Sequence, residues 1–145
     1  MLSQRTRYAL RSLILLAQRA GQGPVPIAEI AEAQCVPRKF LELILLDMKR
    51  AGLVESTRGK TGGYQLARPA ATISFGEVVR LFDGPLALVP CASQTAYAPC
   101  GDCADEATCA IRRAMLAVRD ETARLLDGLS LAEAAANERH DVAQL

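Results

Sequence analysis

The sequence predicts a mainly α-helical chain with one small β-hairpin, and three observations support this prediction. Apolar residues recur at helical spacing through the first third of the chain. A glycine-rich basic turn then separates two short apolar runs, which is typical of a hairpin. Near the end, apolar residues follow one another at alternating spacings of four and three, as along the contact face of a long helix.

Composition narrows the class of protein. Half of the 145 residues are hydrophobic, which is enough to bury a core. No run of 18 or more apolar residues occurs, so no membrane span is predicted. The N-terminal segment is interrupted by arginines and lacks a cleavage site of small residues. This pattern predicts a mature helix rather than a signal peptide, and hence a cytoplasmic location.

The first half of the predicted fold is a helix-turn-helix. One helix is predicted over residues 4–19, a short one from Pro26, and a third from Pro37, whose fixed φ suits a helix start. The buried face of the third helix is a stripe of four residues: Leu41, Ile44, Leu45 and Met48. Two helices joined by a short turn within residues 26–52 form the helix-turn-helix pattern.

The hairpin follows directly after the third helix. Residues 53–56 and 64–67 are predicted as strands on either side of the glycine-rich turn 57–63. A hairpin in this position is the wing of a winged helix-turn-helix. Beyond it, Ser74 and Glu77 have the spacing of a capping box, which predicts a further helix as far as about residue 82.

The C-terminal part is predicted as a loop over residues 86–108 and a long helix that begins near Thr108. The apolar stripe of this helix consists of Ile111, Met115, Val118, Thr122, Leu125 and Leu129. The stripe predicts a dimerisation helix, and packing against its own domain is the alternative. The predicted organisation is a winged helix-turn-helix over residues 1–84, a cysteine-rich loop over 85–109, and a dimerisation helix and tail over 110–145.

Charge is distributed unevenly along the chain. Residues 1–70 contain eleven Lys or Arg and five Asp or Glu, whereas residues 71–145 contain six and eleven. A basic half predicts contact with a polyanion, and double-stranded DNA suits a helix-turn-helix. A solvated charged surface is the alternative. The expected DNA contacts lie on the third helix and the wing: Arg38, Lys39, Glu42, Arg58 and Lys60.

Four of the five cysteines lie within nineteen residues: Cys91, Cys100, Cys103 and Cys109. In a reducing compartment, clustered cysteines indicate metal or redox chemistry more often than structural disulfides. The spacing leaves three possibilities open, namely an iron–sulfur cluster, a zinc ion and a thiol switch. Cys35 stands alone in the turn before the third helix, where we expect it to pack as a small hydrophobe.

Several motifs of this sequence resemble the Rrf2 family of bacterial regulators. They lie at residues 7–10 (RYAL), 36–42 (VPRKFLE), 52–54 (GLV), 58–66 (RGKTGGYQL) and 73–79 (ISFGEVV), followed by the cysteines. The similarity covers about residues 1–130. It implies a homodimeric winged-helix transcription regulator that often carries an iron–sulfur cluster.

The resemblance also implies a ligand set. Cys91, Cys103 and Cys109 match the three cysteines usual in the family. Some members place a histidine three residues after the last cysteine, where this chain has Arg112, so we expect Cys100 to be the fourth ligand. Four cysteines favour a 4Fe–4S cluster over a 2Fe–2S cluster, and zinc is the alternative metal.

The leading hypothesis is a homodimeric regulator that binds a pseudo-palindromic DNA operator. Its iron–sulfur cluster would set operator affinity in response to iron, redox state, nitric oxide or cluster supply. A zinc-stabilised or metal-free DNA-binding regulator and a thiol-redox switch are the alternatives. An enzyme is not expected, because no base, nucleophile pair or phosphate-binding loop accompanies the cysteines.

Overall fold

A computed structural model describes the backbone of residues 1–143 and the side chains of residues 1–138; residues 144–145 of the predicted tail lie outside the described residues. The helices are α1 (Gln4–Gln18), α2 (Ile27–Gln34), α3 (Arg38–Arg50), α4 (Phe75–Asp83), α5 (Ala110–Gly128) and α6 (Leu131–Ala143). The strands are β1 (Val54–Thr57) and β2 (Gly63–Leu66). Within this described part, none of the helices is long and apolar enough to cross a membrane. The elements confirm the predicted fold class, mainly helical with a hairpin wing and a long C-terminal helix.

Short polar residues begin two of the helices. The Ser3 hydroxyl accepts a hydrogen bond from the Thr6 backbone N–H over 3.1 Å, and the Ser74 hydroxyl accepts one from the Glu77 N–H over 3.2 Å. Of the predicted capping box, the described structure contains only the hydrogen bond to Ser74, because the Glu77 carboxylate pairs with Arg68.

Helix α1 lies at the centre of the core. It packs against α2, α3, α4, α6 and β2, and eight of its fifteen residues are buried. Neighbouring elements supply the other fully buried side chains, which include Ile30, Leu41, Ile44, Leu45, Met48, Leu53, Ile73, Val78 and Leu131. The predicted buried stripe of α3 is therefore confirmed.

The wing is anchored at its base to the segment that precedes α2. The strands β1 and β2 pair in antiparallel register, with Val54 opposite Leu66. Beside them, Val25 and Tyr64 exchange two backbone hydrogen bonds of 2.8 Å. A Cβ atom at Gly63 would lie 2.3 Å from the Val25 carbonyl oxygen, so this close approach requires glycine.

The C-terminal residues return to the head, residues 1–84, instead of extending the long helix. The sequence predicts a dimerisation helix followed by a tail over residues 110–145; α5 ends at Gly128, and the tail forms α6, which packs against α1. Leu131 is fully buried, and its N–H donates to the Ile73 carbonyl oxygen over 2.9 Å. Helix α6 is rich in alanine, so it packs closely, but its two faces differ little in hydrophobicity. The sequence pattern alone therefore did not predict this contact.

Helix α5 contributes no buried residue to the core of its own chain. It contacts the turn at Pro90–Ala92 and α4, where Arg80 forms a bidentate ion pair with Asp127 at 2.6 and 2.9 Å. Half of its predicted apolar stripe is exposed: Ile111 (68%), Val118 (43%) and Leu125 (57%). The described residues therefore leave this stripe largely uncovered.

We expect Leu131→Ala to lower the free energy of unfolding by about 2–5 kcal/mol, because it removes buried contacts and leaves a cavity beneath α6. Urea denaturation at a fixed protein concentration, followed by circular dichroism, measures the change. Leu88→Ala is the matched control, since Leu88 is 71% exposed. Equal unfolding free energies for the two variants would show that α6 is not part of the core.

Candidate DNA-binding face and cysteine site

Helix α3 presents charged side chains at its N-terminal end. Arg38, Lys39 and Glu42 are all exposed. Arg38 Nε lies 3.5 Å from Glu42 Oε1, across one helical turn, and the two side chains are 61% and 54% exposed. An ion pair this exposed is weak, so a ligand can separate it at little cost. The three predicted contact residues of α3 therefore lie together and are accessible.

Polar contacts hold α3 in place relative to its neighbours. Lys49 Nζ donates to Ser56 Oγ over 2.6 Å, which joins α3 to β1. Arg5 donates to the Asp47 carboxylate over 2.6 Å, which joins α1 to α3. The position of the wing relative to α3 is thus defined by a hydrogen bond as well as by the core.

The wing tip presents two cations. Arg58 and Lys60 are exposed, and neither has an ion-pair partner among the described residues. Gly59 has a φ of +108°, which side chains rarely allow, and a Cβ atom at Gly62 would lie 2.1 Å from the Thr57 carbonyl oxygen. The glycines let the tip turn tightly and leave the two cations on its outer side.

Large apolar side chains also lie exposed on α3, and the sequence-based site prediction omitted them. Leu43 is 60% exposed, Leu46 is 41% exposed and Phe40 is 39% exposed. The Phe40 ring meets the Tyr8 ring edge-on, with centroids 5.8 Å apart. The buried stripe of α3 already implied that residue 43 points outward. Because leucine usually belongs to a core, the sequence reading did not treat it as a contact residue.

The four clustered cysteines line one cavity of 210 Å³, together with Val89, Asp102, Ile111 and Arg112. Cys91 lies in the turn Pro90–Ala92 and is buried, whereas the other three are half-buried. Cys109 caps α5, and its sulfur accepts the Arg112 backbone N–H over 3.4 Å. The structure therefore brings together the four residues predicted as metal ligands.

The sulfur atoms surround this cavity and do not meet at one point. Cys100 Sγ lies 3.8 Å from Cys91 Sγ. Among the residues that the structure describes, no three His, Cys, Asp or Glu side chains are placed to hold a single metal ion. A tetrahedral zinc site needs its four ligands about 2.3 Å from one ion, whereas thiolates around a cluster are spread over several irons. Four thiols around one cavity are a donor set that either an iron–sulfur cluster or a zinc ion can use.

Contacts within the site disfavour ionisation of two of the thiols. The hydrogen bond with Cys91, and then the charge of Cys91, raise the pKa of Cys100. Burial, and then the charge of Cys109, raise the pKa of Cys103. Thiolate is the form that binds metals and attacks oxidants, so these contacts lower the reactivity of the two thiols.

Two arginines of α5 hold the turn that carries Cys91. Arg112 Nε donates to the Cys91 carbonyl oxygen over 3.2 Å, and Arg119 Nη1 donates to the Ala92 carbonyl oxygen over 2.6 Å. Arg112 also pairs with Glu106 at 3.6 Å, and the Arg119 side chain is only 15% exposed. We name Arg112 and Arg119 the arginine clamp. The sequence reading missed it, although a spacing of seven residues places both on one side of a helix.

Cys35 does not pack in the core, so that prediction is wrong. The residue is exposed, and its left-handed backbone, with φ of 52°, ends α2. The next residue, Val36, enters the core in its place and is only 4% exposed.

Comparisons with known proteins give one consistent result. The Rrf2 family model, described as an iron-dependent transcriptional regulator, matches residues 2–137. An rrf2-like HTH-type transcriptional regulator of Rhodobacter capsulatus is 44% identical over 134 residues, which cover 90% of this chain and 89% of that protein. The structure of CymR, the global cysteine regulator of B. subtilis, superposes with a TM-score of 0.78 at 29% identity and covers 94% of this chain and 97% of that one. T. potens IscR superposes with a TM-score of 0.76 at 27% identity, covering 95% and 88%.

We expect Arg119→Ala to lower the free energy of unfolding by about 1–3 kcal/mol, because the Ala92 carbonyl loses a charge-assisted hydrogen bond. Backbone amides of residues 91–93 should exchange faster with deuterated solvent, which mass spectrometry of that peptide measures. Arg124→Ala is the matched control on the same helix, since Arg124 is exposed and pairs with Glu121. The clamp has no structural role if the two variants show the same exchange in residues 91–93.

Proposed function

Because the chain belongs to the Rrf2 family of transcriptional regulators, we propose that it binds operator DNA as a homodimer and that an iron–sulfur cluster sets its affinity for that DNA. One observation supports the cluster above all: four thiols line a single cavity at the start of α5. The description of the family as iron-dependent points to the same metal.

The DNA contacts are proposed for α3 and the wing. Arg38, Lys39 and Glu42 lie at the N-terminal end of α3, the end that approaches base edges in helix-turn-helix proteins. Arginine and lysine suit guanine in the major groove, and glutamate suits cytosine. Arg58 and Lys60 at the wing tip suit the phosphates or a narrow minor groove, where the potential is most negative.

A second copy of the chain is the proposed partner of α5. The stripe of α5 remains largely uncovered by the described residues, and its most exposed members are Ile111 and Leu125. Two such stripes would bury each other's apolar surface, which stabilises a dimer by removing that surface from water. A two-fold axis between the chains would present two heads to the two halves of a pseudo-palindromic operator.

Cys91, Cys103 and Cys109 would hold the cluster, with Cys100 as the fourth ligand. All four line the same cavity, and its other described lining residues include no histidine, so an all-thiolate 4Fe–4S cluster is favoured over a 2Fe–2S cluster. Bound there, the cluster would supply iron whose presence and oxidation state respond to iron supply, oxygen or nitric oxide. Zinc is the alternative metal, since four thiolates also form a tetrahedral zinc site.

The arginine clamp provides a physical route from the cysteine site to the rest of the chain. Binding of a cluster would change the position of the Cys91 sulfur, and the main chain of that turn is bound to Arg112 and Arg119 on α5. Helix α5 is in turn joined to α4 of the head by the ion pair between Arg80 and Asp127. Movement of the turn would therefore change contacts that reach both the dimer helix and the head.

A thiol switch is the second candidate, and the 3.8 Å contact between the Cys91 and Cys100 sulfurs favours it. Hydrogen peroxide would oxidise the Cys100 thiol to a sulfenic acid and release one water. The Cys91 thiol would then displace a second water and form a disulfide. The raised pKa of Cys100 slows the first of these steps, because thiolate is the reactive form.

Serine replacement of the cysteines tests the cluster. Cys91→Ser, Cys103→Ser and Cys109→Ser should each lose most of the iron after anaerobic reconstitution, because a hydroxyl is a harder and less readily ionised ligand than a thiol. Cys100→Ser should lose the iron or change the visible spectrum if Cys100 is the fourth ligand. Iron and sulfide analysis and visible absorption are the measurements. Cys35→Ser is the control and should match the parent, because Cys35 lies in the turn between α2 and α3.

The same proteins distinguish the candidate functions. DNA duplexes selected by the parent from a random-sequence library should bind the cluster-loaded and cluster-free forms with affinities that differ at least about tenfold, which is common for coupled sites. Iron-free protein with a peroxide-induced disulfide would favour the thiol switch. If the protein contains zinc and no iron, or if the cluster-loaded and cluster-free forms bind DNA equally well, the protein is a DNA-binding regulator without a cluster sensor.

We expect Leu125→Glu to convert the dimer to a monomer, because each dimer would bury two unpaired carboxylates in the stripe of α5. Light scattering should fall from about twice the chain mass of 15.5 kDa to that mass. Leu88→Glu is the control, since Leu88 is equally apolar and 71% exposed but lies outside α5. A dimer that survives Leu125→Glu would place the interface elsewhere.

A further inference from the structure

We propose that Leu43 selects thymine by packing on its 5-methyl group in the major groove, which makes Leu43 a specificity-determining residue. The proposal rests on the DNA-binding role proposed above for α3. It starts from one observation: Leu43 lies near the middle of α3 and is 60% exposed. The four buried residues of α3 already fill its inner face, so Leu43 is not needed by the core.

The surroundings of Leu43 indicate a polyanion with apolar patches rather than an apolar protein surface. Phe40 and Leu46, one turn before and one turn after it, are exposed apolar side chains, but Lys39 also lies one turn before it and Glu42 is its immediate neighbour. Both charged side chains are exposed, and burying them against an apolar partner would be costly. In DNA, phosphates or guanine can bind Lys39, and the cytosine amino group can donate a hydrogen bond to the Glu42 carboxylate.

The major groove contains one prominent apolar group, the 5-methyl of thymine. A leucine side chain has no hydrogen-bonding atom, so it cannot distinguish bases by donors and acceptors. It can distinguish thymine from cytosine, since cytosine lacks the methyl group and exposes an amino group that prefers Glu42. The two neighbouring residues therefore select different bases within one half-site.

Deoxyuridine tests this contact, because it pairs like thymine but lacks the methyl group. Duplexes are first selected by the parent from a random-sequence library, and each thymine of the consensus is then replaced singly by deoxyuridine. One position should weaken binding about fourfold, the effect of one buried methyl, and substitution in both half-sites should weaken it about sixteenfold. Leu43→Ala should abolish this penalty, and Leu43→Gln should shift the selected base at that position towards adenine.

Two control variants define the result. Leu88→Ala removes another exposed leucine and should keep the full deoxyuridine penalty. Arg58→Ala should weaken binding to the thymine and deoxyuridine duplexes by the same factor, because a phosphate or minor-groove contact does not sense the methyl group. Leu43 is not one of the buried core residues, so Leu43→Ala should keep a melting temperature close to that of the parent.

The outcomes separate this inference from the proposed function. A parent that binds selected duplexes, but shows no deoxyuridine penalty or keeps the penalty in Leu43→Ala, would overturn the role of Leu43 alone. A consensus without thymine in the half-site would overturn it as well. A parent that binds no duplex at all would overturn both proposals.

Discussion

The burial of α1 is the constraint on which the rest of the structure depends. More than half of this helix is inaccessible to water, because α2, α3, α4, α6 and β2 all pack against it. Helix α3, the base of the wing and the returning C-terminal helix are therefore positioned by one shared core. A close-packed core resists gradual deformation, so movement between these elements would require a change of packing. We therefore propose that a chemical change at the cysteines acts on the head through contacts outside this core.

The cysteine loop is stabilised in a different way from the head. Its one buried cysteine, Cys91, lies in a single helical turn whose backbone carbonyls accept hydrogen bonds from Arg112 and Arg119. Hydrogen bonds of this kind are directional, so they are lost by small displacements that an apolar contact would tolerate. A loop held by polar contacts can respond to ligation while the apolar core beneath α1 stays folded. This division suits a protein in which the metal site changes and the DNA-binding face must remain formed.

Local signals predicted much of this molecule, and tertiary contacts account for what they did not predict. The Ser74 cap, the glycine-rich wing and the buried stripe of α3 each depend on residues close in sequence, and the sequence indicated all of them. The packing of α6 on α1 and the clamp by Arg119 join residues far apart in the chain, which periodicity cannot reveal. Cys35 was misjudged because its exposure depends on a left-handed backbone angle. Leu43 was overlooked although the outward direction of its side chain was predictable, because an apolar residue suggested a role in the core.

The strength of the clamp is sufficient for the regulation proposed above. A ligand shifts an equilibrium only by the difference in its interactions with the two states. Each charge-assisted hydrogen bond of the clamp contributes about 1.5–3 kcal/mol, and a tenfold change in affinity requires about 1.4 kcal/mol. Loss of the Arg119 bond in each half of a dimer could therefore change operator affinity by one or more orders of magnitude, while the core stays folded. If Cys91 were attached more strongly to α5, cluster binding would be opposed. If it were attached more weakly, the head would not respond to cluster binding.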